Sequence, residues 1–263
     1  FYHFQILFCQ ILIQYAPTKN SEGVFDSTVL IQKLQDLLDK LNSKIQNEET
    51  QNEELNKDLN IVSTHIRNKM YGLMLRSKNT EYVDLHIDVE KLIETRKKYN
   101  PSGLGYDYSL LRNVYSSQSK WKEAYTIAIK SLCTSLSIYQ EHSKKNNIYQ
   151  RKFEMQMILR SLVSLPPLVR KDVTLTQSKL KDFVPSEEYD TMRSVLFPKM
   201  TEDEWDVITV NNFHLHAMHA ICNSQSKGAS FLFSPSSAYQ ACAYVYVIDK
   251  TWSEFTLENS YLR

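Results

Sequence analysis

SLSIYQEHSKKNNIYQRKFEMQM, running from Ser135 to Met157, is the stretch around which the rest of this 263-residue chain is read. It has the length and period of an exposed amphipathic helix. At 100° per residue, Lys144, Lys145, Arg151 and Lys152 fall within roughly 120° of one another. Leu132, Tyr139, Tyr149, Phe153 and Met157 gather on the opposite side. One face is suited to packing and the other to meeting phosphate. A charge run on a helix is ordinarily only a solvated face, so periodicity alone leaves a plain packed helix open beside a nucleic-acid-binding one.

The bulk composition narrows the choice. With 31 basic and 30 acidic residues the net charge is +1, so no global field draws the chain to nucleic acid or an anionic membrane, and any such site is a local patch. Cys9, Cys133, Cys222 and Cys242 show no paired spacing, which fits reduced thiols in a cytosolic compartment rather than a disulfide framework. Five glycines and seven prolines argue for long regular elements, so helix is expected to dominate. No phosphate-binding glycine loop and no nucleophile elbow is present. Asp88, Glu90 and Glu94 lie on an ordinary charged helix and do not read as paired acid and base. The chain is therefore read as a non-enzyme that needs no cofactor.

In the first half, the opening FYHFQILFCQILIQ is strongly apolar but too short to span a bilayer, and it lacks the basic start and cleavage site of a signal peptide. It reads either as a buried strand or helix end, or as the tail of a preceding membrane protein within a longer precursor. The second is the reading adopted for residues 1–14. After a polar connector punctuated by Pro17, Asn20 and Gly23, Asp26 or Ser27 is an N-cap. Val29, Leu30, Leu34, Leu37, Leu38, Leu41 and Ile45 then recur at helical steps. At Gln46–Glu54 the helix either continues exposed or breaks. A second helical face runs from Leu55 to Met74, and a third helix from about Val83 to Tyr99, where Asn100-Pro101-Ser102-Gly103 stops it. Between Tyr106 and Lys122 the pattern loosens, and residues 119–133 begin a new helix.

Past Met157, Pro166 and Pro167 require the long helix to kink or end. Lys171, Lys179 and Lys181 form a possible second basic patch without an assignable face. His214, His216, His219 and Cys222 are the one group with metal-ligand chemistry, and the last three share a helical face. A structural zinc site closes with four ligands and no further Cys or His pair lies nearby, so no metal is expected. Tyr244–Ile248 has strand propensity.

Two sets of residues carry a resemblance. Ser135-Leu136-x-Ile138 with Gln150-Arg151-Lys152-Phe153-Glu154 resembles the RNA-facing shaft of coronavirus non-structural protein eight, and Glu123-Ala124-Tyr125 resembles its start. Asp190–Phe197, Gly228–Ala238 and Val245–Asp249 are similar to a later helix and to the loop and first strands of its head. Upstream, Ser27-x-Val29-Leu30-Ile31-x-x-Leu34-Gln35-x-Leu37, Lys69-Met70 and Ile87–Leu92 resemble non-structural protein seven, which precedes protein eight in coronavirus polyproteins. The resemblance implies a nidovirus replicase segment acting as a non-catalytic processivity cofactor of the viral RNA-dependent RNA polymerase. Lys144, Lys145, Arg151 and Lys152 would grip RNA. Leu30, Leu34, Leu37, Met70, Tyr149, Phe153 and Met157 would pack on partners, the seven-like and eight-like halves packing on each other. Family main proteases cut between Gln and a small residue, which makes Gln118-Ser119 the expected cleavage site. The implied location is the host cytoplasm, in a membrane-associated replication complex. A helical adaptor without an RNA role is the rival reading.

The expected fold is mainly α, and α+β overall. It comprises an apolar tail (1–14), a small helical bundle (15–118), a long basic amphipathic shaft (119–225) and the start of an α/β head (226–263).

Overall fold

The computed structural model describes residues 2–19, 25–48, 52–77, 84–145, 148–184, 186–197 and 201–222. These residues are mainly helical and divide into two compact units, Phe1–Val114 and Tyr115–Arg263. The head expected over 226–263, with its strand at Tyr244–Ile248, lies outside the described residues.

In the first unit, α1 (Tyr2–Gln14) is followed by a two-residue antiparallel ladder pairing Thr18 with Asp26 and Lys19 with Phe25. The Asp26 carboxylate accepts the Thr28 N–H at 2.9 Å and opens α2 (Thr28–Glu48), because the first amides of a helix need outside acceptors. The polar run after Ile45 ends this helix. Asn52 then caps α3 (Glu53–Arg76), accepting the Leu55 N–H at 3.0 Å. Leu30, Leu34, Leu37, Leu38 and Leu41 of α2 meet Leu59, Val62, Ile66, Met70 and Leu73 of α3 in one buried cluster that also takes in Phe4 of α1. The apolar opening is thus a helix with one face in a core.

The third helix, α4 (Leu85–Tyr99), ends at Asn100, and a short 3-10 turn over Pro101–Gly103 leads into α5 (Leu104–Ser117). A helix here replaces the loosened stretch expected from Tyr106. Leu104, Tyr108, Leu111 and Val114 bury one side of it, with Gly105 and Asp107 among them, and those two residues blur the apolar period. Asp107 forms an ion pair with Arg96, both side chains being at most 1% exposed, and Asn68 of α3 donates to the same carboxylate at 2.6 Å. Three helices thereby meet at one buried charge pair. Gly103 lies against it: a Cβ there would stand 2.3 Å from the Arg96 Nη1, so the turn requires a residue without a side chain.

In the second unit the expected single shaft is two helices. α6 (Trp121–Lys144) and α7 (Ile148–Lys171) pack along each other as a hairpin. A continuous helix would have left Leu132, Leu136, Met157 and Ile158 facing water. Folding back buries all four to 1% exposure or less, and each such side chain contributes about 1.5–3 kcal/mol on burial. α7 also runs through Pro166 and Pro167, against the expectation of a kink or stop. Leu162, Leu165, Leu168 and Val169 on either side of the prolines are buried in the core, which offsets the backbone bonds that proline cannot make.

Short elements complete this unit: α8 (Val173–Thr176), α9 (Ser186–Leu196), α10 (Glu202–Asp206) and α11 (Val210–Cys222). α9 packs on α6, and α11 on α7, α8 and α9. Trp205 anchors an aromatic group, with ring centroids 5.3 Å from Tyr189, 5.4 Å from Phe197 and 6.3 Å from Phe213. Backbone bonds from Leu180 to Ile208 and from Val210 to Ser178, both 3.0 Å, fasten the chain after α8 to the start of α11.

Candidate nucleic-acid interface

The hairpin brings the four expected cations to its turn, from two helices rather than along one. Lys144 ends α6 and is exposed, and Lys145 follows it in the turn. Arg151 and Lys152 sit near the start of α7; their side chains lie outside the described ones. Two electrostatic features follow from the backbone. The first turn of α7 holds no acidic residue, so the positive end of its macrodipole is not screened by a carboxylate within the helix. Lys144 and Lys145 sit at the negative end of α6, where cations are favoured. Lys145 also pairs with Glu141, whose carboxyl its ammonium holds below the usual range. Both side chains are more than half exposed, and an ion pair in water is weak enough for Lys145 to exchange Glu141 for another anion.

The packing residues divide. Leu132 and Met157 are buried as expected and Phe153 is half-buried, but Tyr149 is 88% exposed. α6 ends at Lys144 and α7 starts anew at Ile148, so the helical phase is reset and Tyr149, the second residue of α7, turns to solvent. Leu30, Leu34, Leu37 and Met70 are consumed by the first unit's own core, and their packing partners are α1, α2 and α3 of the same unit.

Periodicity overlooked a polar seam inside the hairpin. Ser131 and Ser135 of α6 and Glu154 and Ser161 of α7 are each at most 2% exposed, and the Ser161 hydroxyl donates to Ser131 Oγ at 2.9 Å. Gln150 donates to Glu154 Oε1 at 3.0 Å, while Oε2 meets no donor at bonding distance among the described residues. Burial pushes the Glu154 carboxyl up to about 7, with Gln150 and Ser135 beside it opposing the push. The signal was present in the spacing, since Ser131 and Ser135 stand four apart and Glu154 and Ser161 seven apart, each pair on one helical face.

Gln118-Ser119 lies in an ordered turn rather than a loose linker. Lys120 N–H reaches back to the Tyr115 carbonyl at 2.9 Å and Ser119 N–H to Ser116 at 3.1 Å, the paired bonds of a Schellman cap. Ser119 takes the left-handed position at φ 57°, and the Lys120 ammonium lies 5.8 Å from the Tyr115 ring centroid. Of the second basic group, Lys171, Lys179 and Lys181 are all exposed, and Lys181 pairs with Asp206 at 3.2 Å.

On α11, His214 is buried and His216 exposed; the side chains of His219 and Cys222 lie outside the described ones. Among the described residues, no group of three or more His, Cys, Asp or Glu side chains is placed to hold a metal ion. No described helix is long and apolar enough to cross a membrane.

No family model, curated protein or solved structure matches this chain. The site's chemistry therefore rests on its residues: a cationic helix-turn-helix end that can contact phosphate oxygens without reading bases.

Proposed function

We propose that this chain is a non-catalytic cofactor of a viral RNA-dependent RNA polymerase and that it holds RNA through the α6–α7 turn. The reading is supported by the convergence of Lys144, Lys145, Arg151 and Lys152 on one end of a hairpin, next to the N-terminus of α7. The resemblance of Ser135–Glu154 to the polymerase cofactor's shaft supplies the choice of RNA. Contacts of this kind act through phosphate charge and backbone shape, giving a sequence-independent grip suited to processivity. In this proposal the seven-like and eight-like halves act together on the polymerase, in a membrane-associated replication complex of the host cytoplasm, and an α/β head follows α11.

Changing Arg151 and Lys152 together to Ala is expected to weaken RNA binding evenly across sequences. It should also flatten the slope of log affinity against log salt by about 1.4–1.8, since each phosphate contact contributes about 0.7–0.9. Fluorescence titration across a salt series reads both effects, and primer extension by the polymerase should shorten in parallel. Unchanged slope and extension, with far-UV circular dichroism intact, would leave the helical adaptor as the correct reading.

Proteolytic separation of the halves is part of the same proposal. A protease that binds substrates extended must first open the Schellman turn, so cleavage after Gln118 is expected to be slow in the folded chain and to accelerate in mild urea. Mass spectrometry of products from the cognate main protease reads the site, and cutting only elsewhere sinks this boundary.

A further inference from the structure

Tyr149 stands in the first turn of α7 with 88% of its surface exposed, and the residues around it say what such a ring can meet. From His142 to Phe153 the chain carries four cations, Lys144, Lys145, Arg151 and Lys152, and no acid. Glu141 and Glu154 bound this stretch, the first paired with Lys145 and the second buried in the hairpin. Glu154 is also the one acid in the α7 sequence, so no exposed carboxylate stands on that helix. Gln156 and Arg160, both exposed, follow within roughly 20° of the direction of Tyr149 around the helix. A polyanion lying along α7 from the turn therefore meets a ring, an amide and a guanidinium in line, and no charge of its own sign.

A phenol ring among cations fits two kinds of anionic surface, a layer of lipid headgroups and a nucleic acid. A helix seated in lipid presents an apolar face of several side chains. Here Tyr139 is buried and Phe153 half-buried, which leaves the single Tyr149 ring, too little for a bilayer and enough for one base. A base can lie on that ring only where it is unpaired and splayed out, because in a duplex its faces are covered by the bases above and below. We propose that Tyr149 is a stacking platform for an unpaired base, so that the α6–α7 turn takes single-stranded RNA, with the neighbouring cations on the phosphates to either side. This inference rests on the turn holding RNA and adds which form of RNA it holds.

The full 263-residue chain is titrated by fluorescence anisotropy with a labelled RNA strand free of self-complementarity, with the same strand paired to its complement, and with an abasic strand of equal length. Tyr149→Ala is expected to weaken binding of the single strand about five- to 150-fold, the range of one base–aromatic stack. Binding of the duplex and of the abasic strand should stay within about twofold and the salt slope should not move, since no phosphate contact is lost. Tyr149→Phe should behave as the parent. The position is exposed, so far-UV circular dichroism should be unchanged in both variants. Equal weakening on single strand and duplex, no weakening on either, or a loss in Tyr149→Phe as large as in Tyr149→Ala overturns the proposal. So does Tyr149→Ala that binds RNA as the parent does but shortens primer extension, which assigns the ring to the polymerase, or that instead loses capture by phosphatidylserine vesicles, which assigns it to lipid. RNA binding that responds to the Arg151 and Lys152 double variant but not to Tyr149→Ala removes the stacking alone, whereas a parent chain that binds neither form of RNA removes the RNA-holding turn with it.

Discussion

Asp107→Ala is expected to cost the first unit about 3–5 kcal/mol, because it strands the Arg96 guanidinium in a site 1% exposed with no counter-charge. Domains of this size are stable by only about 5–15 kcal/mol, so a large share of the unit's margin goes with one carboxylate. The damage should also spread, since Asn68 on α3 loses the oxygen to which it donates. Replacing both partners by apolar residues of similar volume, Arg96→Met with Asp107→Leu, should recover much of the loss, because burying two charges is itself costly. Urea unfolding followed by circular dichroism measures the effect, and the tryptophans provide the internal control. All three, Trp121, Trp205 and Trp252, belong to the second unit, so their fluorescence follows that unit while circular dichroism follows both. A circular dichroism midpoint unchanged in Asp107→Ala would mean that the pair contributes nothing net.

Glu154 makes the second unit's stability depend on pH in the reverse of the usual carboxylate sense. Its folded carboxyl is pushed up to about 7 by burial, above the ordinary 4.5. Stability is therefore fully present below about pH 4.5 and is lost as pH rises through 7, since the unfolded chain ionises first. The difference amounts to at most about 3 kcal/mol at alkaline pH, from about 1.36 kcal/mol for each pKa unit. Tryptophan fluorescence in urea at pH 5.5 and pH 8.5 should show the second unit weaker at the higher value. Glu154→Gln should be the more stable protein at pH 8.5 and should flatten the profile. A variant with the same pH dependence as the parent would place the titrating group elsewhere.

Elements with uniform spacing were legible from the sequence. The leucines of α2 and the apolar positions of α3 step by three and four without polar interruption, and α4 is closed by Asn100-Pro101. The α6–α7 hairpin was hidden because Lys145-Asn146-Asn147 carries neither glycine nor proline, and the amphipathic phase runs on through it as if the helix did. α5 was hidden because Gly105 and Asp107 occupy its inner face, and the value of Asp107 there appears only once Arg96 and Asn68 are brought beside it. The two prolines misled in the other direction: their backbone cost is local, whereas the leucines that outweigh it act through tertiary contacts. Of the candidate site, the identities of the four cations were readable, and their arrangement about a turn was not.

The hairpin also sets an order of events during synthesis. Ser131 and Ser161 lie only 30 positions apart, so α6 and α7 can find each other as soon as both have left the ribosome. Chains grow at about 5–20 residues per second, and local helical contacts form on far shorter timescales. α9 and α11, which cover the hairpin, are made afterwards. For seconds, therefore, the nascent chain presents an apolar groove to solvent, and the α6–α7 pair is the surface that a nascent-chain chaperone would find still uncovered.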